Sequence, residues 1–189
     1  MINELIAAKE STLLLISIPI YIVIICIEIV LSNIHKKNLY NAKDTVMNIY
    51  LTTVNFGLDI LVRGFGFIIL TFFFTIRVCQ IDNAYGYWIL LFMGEDFLYY
   101  WEHRIDHTVR FFWAMHVTHH SSQHFNLTTG FRSSALQPLY RFVYFIPLSL
   151  LGFSAADIMF TYALTQIYGI LIHTKMIHQL GILEYFMAT

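Results

Sequence analysis

Apolar residues occur along this chain in long runs rather than in the narrow stripes of a soluble amphipathic helix. Residues 12–31 form one such run, with Glu28 its one charged residue and Pro19 its one proline. At a rise of about 1.5 Å per residue it is long enough to cross a hydrocarbon core of about 30 Å. A second run lies within 51–76 and is most apolar from 65 to 76; a third, 85–100, continues through Trp101 toward a polar stretch. Two further runs, 139–151 and 155–172, are separated by Gly152-Phe153-Ser154. The first of these is short for a full crossing, so the pair reads as a shallow or tilted hairpin that returns to the side it left. The pattern predicts an all-α fold, a multi-pass transmembrane helical bundle, with residues 1–93 supplying the N-terminal helices and their connecting loops.

Composition strengthens this picture. The chain of 189 residues is 58% hydrophobic and 17% aromatic, with a mean hydropathy of +0.63, too apolar for an ordinary water-soluble domain. Eleven Lys and Arg against twelve Asp and Glu leave a formal charge of -1, which excludes the basic footprint of a nucleic-acid partner. Cys26 and Cys79 have no metal-ligand spacing and read as packing residues. The opening decapeptide carries Glu4, Lys9 and Glu10 instead of a basic leader, so the first run is expected to be a retained anchor. His35, Lys36, Lys37 and Lys43 follow it, and the positive-inside rule assigns that loop to the cytoplasm. Counting crossings from there brings the polar stretch after Trp101, and later His173, to the same cytoplasmic face. Asp59 and Arg63, four apart on one helix face, are expected to pair at an interface.

The polar stretch holds the chemistry. Nine histidines spread evenly would place about one in any 18 residues, yet residues 103–120 contain five. H-R-I-D-H presents His103 and His107 one helical turn apart, and H-V-T-H-H adds His116, His119 and His120 after a connection long enough to reverse direction. Two such boxes can enclose one or two metal ions, and imidazole alone does not choose among Zn, Fe, Cu and Ni. There is no H-E-x-x-H of a zinc protease and no Glu three residues before a His, as carboxylate-bridged bundles require. Five clustered histidines exceed what haem ligation uses. His35, His124 and His178 read as surface or supporting residues, and G-F-G-F at 64–67 lacks the third glycine of a dinucleotide site.

The segments E-D-F-L-Y-Y-W-E-H-R-I-D-H, W-A-M-H-V-T-H-H-S-S-Q-H-F-N-L-T-T-G-F-R and I-H-T-K-M-I-H-Q-L-G-I-L-E together resemble the fatty acid hydroxylase and sterol desaturase superfamily, and within it the alkylglycerol monooxygenase branch and its bacterial relatives. The resemblance covers residues 94–189. It implies a cytoplasmic histidine-rich cap holding non-haem di-iron, with His103, His107, His116, His119, His120 and His173 as metal ligands. It further implies Asp96 as a partner that fixes an imidazole tautomer, and Asn126 and Arg132, from N-x-x-T-x-x-R, as residues lining the site. The implied activity is O2-dependent hydroxylation, desaturation or mono-oxygenation of a lipid C–H bond. Electrons would come from cytochrome b5, ferredoxin or tetrahydrobiopterin, and the membrane would be the endoplasmic reticulum of a eukaryote or the inner membrane of a bacterium.

One departure stands against these matches. The superfamily carries a third histidine box, expected just after a segment such as L-E-Y-F-M-A-T, and the sequence stops at Thr189. The expectation is a fragment or truncated form of such an enzyme. The competing readings are a catalytically inactive truncated paralogue and a metal-binding membrane protein.

Overall fold

The structure, a computed structural model, describes residues 2–177 together with 179 and 181, with side chains described from residue 15 onward. It is helical, with no strand among the described residues. Three long helices come first: α1 (Ile2–Ile34), α2 (Ala42–Thr75) and α3 (Ala84–Thr108). The short α4 (Arg110–His116) and α5 (Leu127–Gly130) follow, then α6 (Ile146–Leu150) and the longer α7 (Ala155–Leu171). Polar side chains start the helices by accepting from otherwise orphaned amides. Asn41 takes the Lys43 amide at 2.9 Å, Asn83 the Gly86 amide at 3.0 Å and Ser154 the Asp157 amide at 3.2 Å. The turn between α1 and α2 is made by Lys36 and Asn38 in left-handed conformations, φ 52° and 49°.

Two helices, residues Leu15–Ile34 of α1 and the whole of α2, are long and apolar enough to cross a membrane. Their outer faces are lined by large apolar side chains, among them Ile22, Ile27, Ile60, Leu61, Phe65 and Ile68, all more than half exposed. Ile89, Leu90, Met93 and Phe97 continue this surface on α3. A contiguous apolar exterior of that extent is foreign to a monomer in water and natural to one in lipid. The interior is the reverse: Glu28, Asp59, Glu95, Glu102, Asp106, Arg132, Arg141 and Asp157 are all buried. With 34 residues α2 is about 50 Å long, so it outreaches a hydrocarbon core of about 30 Å and can support structure beyond it.

The run 139–151 departs from the expected hairpin. It folds as 3-10 turns and the five-residue α6, and its Phe142, Phe145 and Leu148 join Leu70, Leu91, Ile158 and Tyr162 in the central apolar cluster. Its hydrophobicity reflects protein packing, and Pro138 and Pro147 start the short turns that replace a long helix. Gly152, at φ +100°, turns the chain where a Cβ would meet the Cys79 carbonyl at 2.4 Å. Cys26 and Cys79 are free and exposed, not packed as expected. Asp59 and Arg63 do pair, at 3.2 Å, with the Asp59 side chain only 11% exposed, so the pair is drawn into the bundle.

Glu28 is the main tie between the first helix and the loops that follow α4. Only 4% exposed, it accepts from the Leu127 amide at 2.9 Å and from the hydroxyls of Tyr40 and Thr174. Tyr21, one turn and more upstream, donates to the Ile167 carbonyl of α7 at 3.1 Å. We predict that Glu28→Ala, which leaves the Leu127 amide and two hydroxyls without their acceptor, costs about 3 kcal/mol of stability, with Glu28→Gln costing less. Thermal melts of the detergent-solubilised variants by circular dichroism check this, and an unchanged melt for the alanine variant would remove the tie.

Candidate metal centre

The last turns of α3 carry His103 and His107 on one face, their Nε2 atoms 3.1 Å apart. Val109 is extended, φ -95° and ψ 117°, which ends α3 and lets α4 fold back so that His116 returns to the same point. A 3-10 turn over His119–Ser121 then delivers His120, whose Nε2 lies 3.1 Å from that of His107 and 3.2 Å from that of His116. Ligand atoms of His103, His107, His116 and His120 all fall within 4.8 Å of one another. Two nitrogens bound at about 2.1 Å to one ion stand about 3.0–3.4 Å apart for angles near square or tetrahedral, and the neighbouring spacings of 3.1, 3.1 and 3.2 Å fall in that range.

His119 and His173 form a second group. Each uses Nδ1 to donate to a carbonyl at 2.6 Å, His119 to Arg132 and His173 to Gly169. A carbonyl can only accept, so both Nδ1 atoms carry the proton and both Nε2 atoms present a lone pair. Those Nε2 atoms face each other at 3.2 Å. Two lone pairs at that distance repel unless a cation stands between or beside them, so the residues present fit a metal ion. His173 reaches this position because α7 ends there, its amide donating to Ile170 at 3.1 Å, and because Gly130 lets α5 approach: a Cβ on Gly130 would meet the Ile170 Cα and the His173 Cβ at 3.1 Å.

Around these rings the structure adds Asp106 to the partners expected. Asp106, fully buried, places Oδ2 3.3 Å from His116 Nδ1 and accepts from the Tyr140 hydroxyl at 3.2 Å. Asp96 is half-buried on α3 and does not line the cavity at the site. Asp106 sits inside the first box, but its role depends on α4 folding back, which spacing along α3 alone does not reveal. Arg132 lines the site and acts through its backbone carbonyl on His119, while its guanidinium ties Thr118, Ser121, Asp44 and Asn48 together. Asn126 does not line the cavity: it caps α5 and donates to the Leu39 carbonyl at 2.6 Å, and at 1% exposure it is sealed inside the fold. Aromatic rings wall the imidazoles, Trp113 against His107 and His120, Phe125 against His173 and Tyr99 against His103. His124 is half-buried, His35 is exposed, and His178 and the segment 183–189 lie outside the described residues.

A cavity of about 230 Å³ opens beside the rings, lined by His103, His116, His119 and His173 and reaching inward to Tyr99, Glu102, Asp59 and Arg141. Burial, reinforced by neighbouring imidazoles, lowers His103 and His120 to about 4. Burial lowers His119 to about 3 against the opposing pull of the Arg132 carbonyl. His107 and His173 are lowered as well, chiefly by burial. Neutral imidazoles at neutral pH are the form a metal needs. For the metal-free chain, depressed values mean that the unfolded state, with histidines at 6.5, takes up protons first as pH falls. Stability is therefore fully present above about pH 6.5 and declines toward about pH 4. We predict a lower melting temperature at about pH 5 than at about pH 7.5 for metal-free protein, with the difference reduced in a His103→Asn, His119→Asn double variant; equal pH slopes in wild type and variant would refute it.

Comparison with known proteins agrees with this geometry. A sequence model of the fatty acid hydroxylase family matches residues 88–189. Alkylglycerol monooxygenase of Xenopus tropicalis is 39% identical over 111 residues, 57% of this chain and 24% of the relative. The Homo sapiens enzyme of that name is 40% identical over 105 residues, 54% of this chain and 23% of its own length. That of Caenorhabditis elegans is 32% identical over 100 residues, 50% of this chain and 18% of its own length. The matched part thus spans about a quarter or less of these relatives. No solved structure matches the chain significantly. With its family match running from α3 through both histidine groups to the last residue, the chain belongs to the fatty acid hydroxylase family.

Proposed function

We propose that this chain is the histidine-bearing part of a membrane-bound lipid hydroxylase that uses two iron ions and dioxygen, with its histidines at the cytoplasmic face of a multi-pass bundle. The observation that carries the reading is the pair of unprotonated Nε2 atoms of His119 and His173 opposed at 3.2 Å beside a four-histidine group. His103, His107, His116 and His120 would hold one ion, and His119 and His173 would contribute to the other. Bound iron supplies dioxygen activation for oxidising an unactivated C–H bond, a task no side chain here can do alone.

The chain's own residues do the rest. The carbonyls of Arg132 and Gly169 set which nitrogen of His119 and of His173 keeps its proton, leaving Nε2 free to ligate, and Asp106 lies behind His116. Trp113 and Phe125 cover the rings and limit water. The apolar exteriors of α1, α2 and α3 hold the site at a membrane, where a lipid reaches it without crossing water. The relatives are named for monooxygenation of alkylglycerols, and an ether lipid of that kind is the substrate we assign. Electrons come from an external donor, cytochrome b5, ferredoxin or tetrahydrobiopterin. Asp96, Asn126 and Arg132 act as supporting residues, Asn126 by holding the α5 loop and Arg132 by holding His119.

Plasma mass spectrometry of the detergent-purified chain tests this. We expect about one or two irons per chain, abolished by His116→Ala, His119→Ala and His120→Ala together. His119→Ala with His173→Ala should remove roughly half of the metal and spare the four-histidine group, since the two groups share no ligand. Wild-type protein free of iron after anaerobic loading with ferrous ion would sink the reading.

A further inference from the structure

We infer that the basic turn joining α1 to α2, together with Lys175, is a docking site for the phosphate-bearing headgroups of anionic phospholipids. Lys36, Lys37 and Lys43 share the segment 36–43, and Lys37 Nζ donates to the Lys175 carbonyl at 3.4 Å, which brings a fourth lysine to the same place. All four are exposed, as is His35 beside them. None of the four meets a carboxylate among the described residues. The carboxylates nearest in sequence are already engaged. Asp44 pairs with Arg132 at 3.2 Å and accepts from the Ser122 hydroxyl, while Glu28 accepts from the Leu127 amide and from the hydroxyls of Tyr40 and Thr174. Four ammonium groups thus stand at the surface without a counter-charge.

The turn holds these lysines in a fixed place. The Lys37 amide donates to the Ser32 carbonyl at 2.9 Å and the Lys36 amide to the Asn33 carbonyl at 3.1 Å, the two bonds that close a helix through a left-handed residue. Lys36 is that residue, at φ 52°, where glycine would cost least. The Ser32 hydroxyl takes the Leu39 amide at 3.0 Å and Asn126 donates to the Leu39 carbonyl at 2.6 Å, which fastens the far side of the turn. Lys36 and Lys37 suit the negative end of the α1 dipole. Lys43, however, stands in the first turn of α2, where a positive charge is disfavoured, so helix dipoles do not account for the group. Position selects the partner. The apolar segment Leu15–Ile34 ends immediately before His35, and Ile34, Val46, Met47 and Ile177, which flank the lysines in sequence, are large exposed apolar side chains. Lysines directly beyond a spanning helix and mixed with apolar side chains lie at headgroup depth, where a lipid phosphate is the counter-charge at hand. An acidic soluble protein would need them to stand clear of the bilayer. Lys175 lies two residues past His173, so the site adjoins the second histidine group.

The test is native mass spectrometry of the detergent-solubilised full chain titrated with dioctanoyl phosphatidylglycerol or dioctanoyl phosphatidylcholine, which share their tails and differ in net charge. We expect phosphatidylglycerol to bind at least about fivefold more tightly at low salt, with most of the preference gone in about 0.5 M ammonium acetate. Lys36→Gln, Lys37→Gln, Lys43→Gln and Lys175→Gln together should bring the preference to about twofold or less. Arg77→Gln, just past the other end of α2, should leave it unchanged. Equal binding of the two lipids by wild type would overturn the inference and leave the lysines to an acidic protein. A preference that survives in the folded fourfold variant, or that Arg77→Gln removes as completely, would overturn it as well, because the charge that matters would then lie elsewhere or everywhere. Should circular dichroism show the fourfold variant unfolded, Lys37→Gln with Lys175→Gln is expected to lower the preference at least about twofold, and no change there would also overturn the inference. Neither iron nor turnover is read, so the outcome is independent of the oxygenase reading.

Discussion

The arrangement of this protein turns on imidazole nitrogens that point at one another with no proton to share. His119 and His173 bring two lone pairs to 3.2 Å, and His103, His107, His116 and His120 crowd four more rings beside them. The opposed lone pairs of His119 and His173 gain nothing from their own contact, so the fold must impose it. It does so with several independent restraints. Arg132 and Gly169 carbonyls hold two rings by Nδ1, the close pass at Gly130 seats the end of α7, and Glu28 fastens α1 to the loops on either side. Each lies outside the ligand set, and each fixes the direction in which a ligand points.

A lipid exterior makes this buried polarity affordable in structural terms. With apolar side chains outward on α1, α2 and α3, charged residues have only the interior to occupy, and there they are arranged in chains of contact instead of as isolated charges. Arg132 bridges Asp44 and Asn48 of α2 to the histidine loop, and Tyr87 and Ser154 both meet Asp157 between α3 and α7. The cavity lined by Asp59, Glu102 and Arg141 continues the same interior toward the rings. The apolar exterior and the site share a frame: α2 and α3 turn apolar side chains outward and line the cavity with inward ones, Asp59 and Arg63 from α2 and Tyr99 and His103 from α3.

Much of this was legible in the sequence, for a physical reason. Long apolar runs and a fivefold local excess of histidine are strong one-dimensional signals, and they anticipate the long helices, the two boxes and their convergence. His173, distant in sequence, could be associated with the boxes only through family resemblance and the expectation that its segment returns to the same face. Other features depend on three-dimensional folding. The run 139–151 looks like half a hairpin because a protein core and a lipid are equally apolar. Glu28 looks like an interfacial residue because nothing local shows that Leu127 and Thr174 will arrive around it. Asp106 meets His116 across a chain reversal that helical spacing does not encode.

The two histidine groups are not equivalent. In the four-histidine group, His116 has a buried carboxylate, Asp106, 3.3 Å behind Nδ1. In the other group both Nδ1 atoms meet neutral carbonyls, which fix orientation but add no net charge. The first group also brings four rings to one point, against two for the second among the described residues. Four rings at one point against two would make the four-histidine group the tighter position for a metal ion. Both groups border the cavity, the first through His103 and His116 and the second through His119 and His173, so a reactant placed there reaches rings of each.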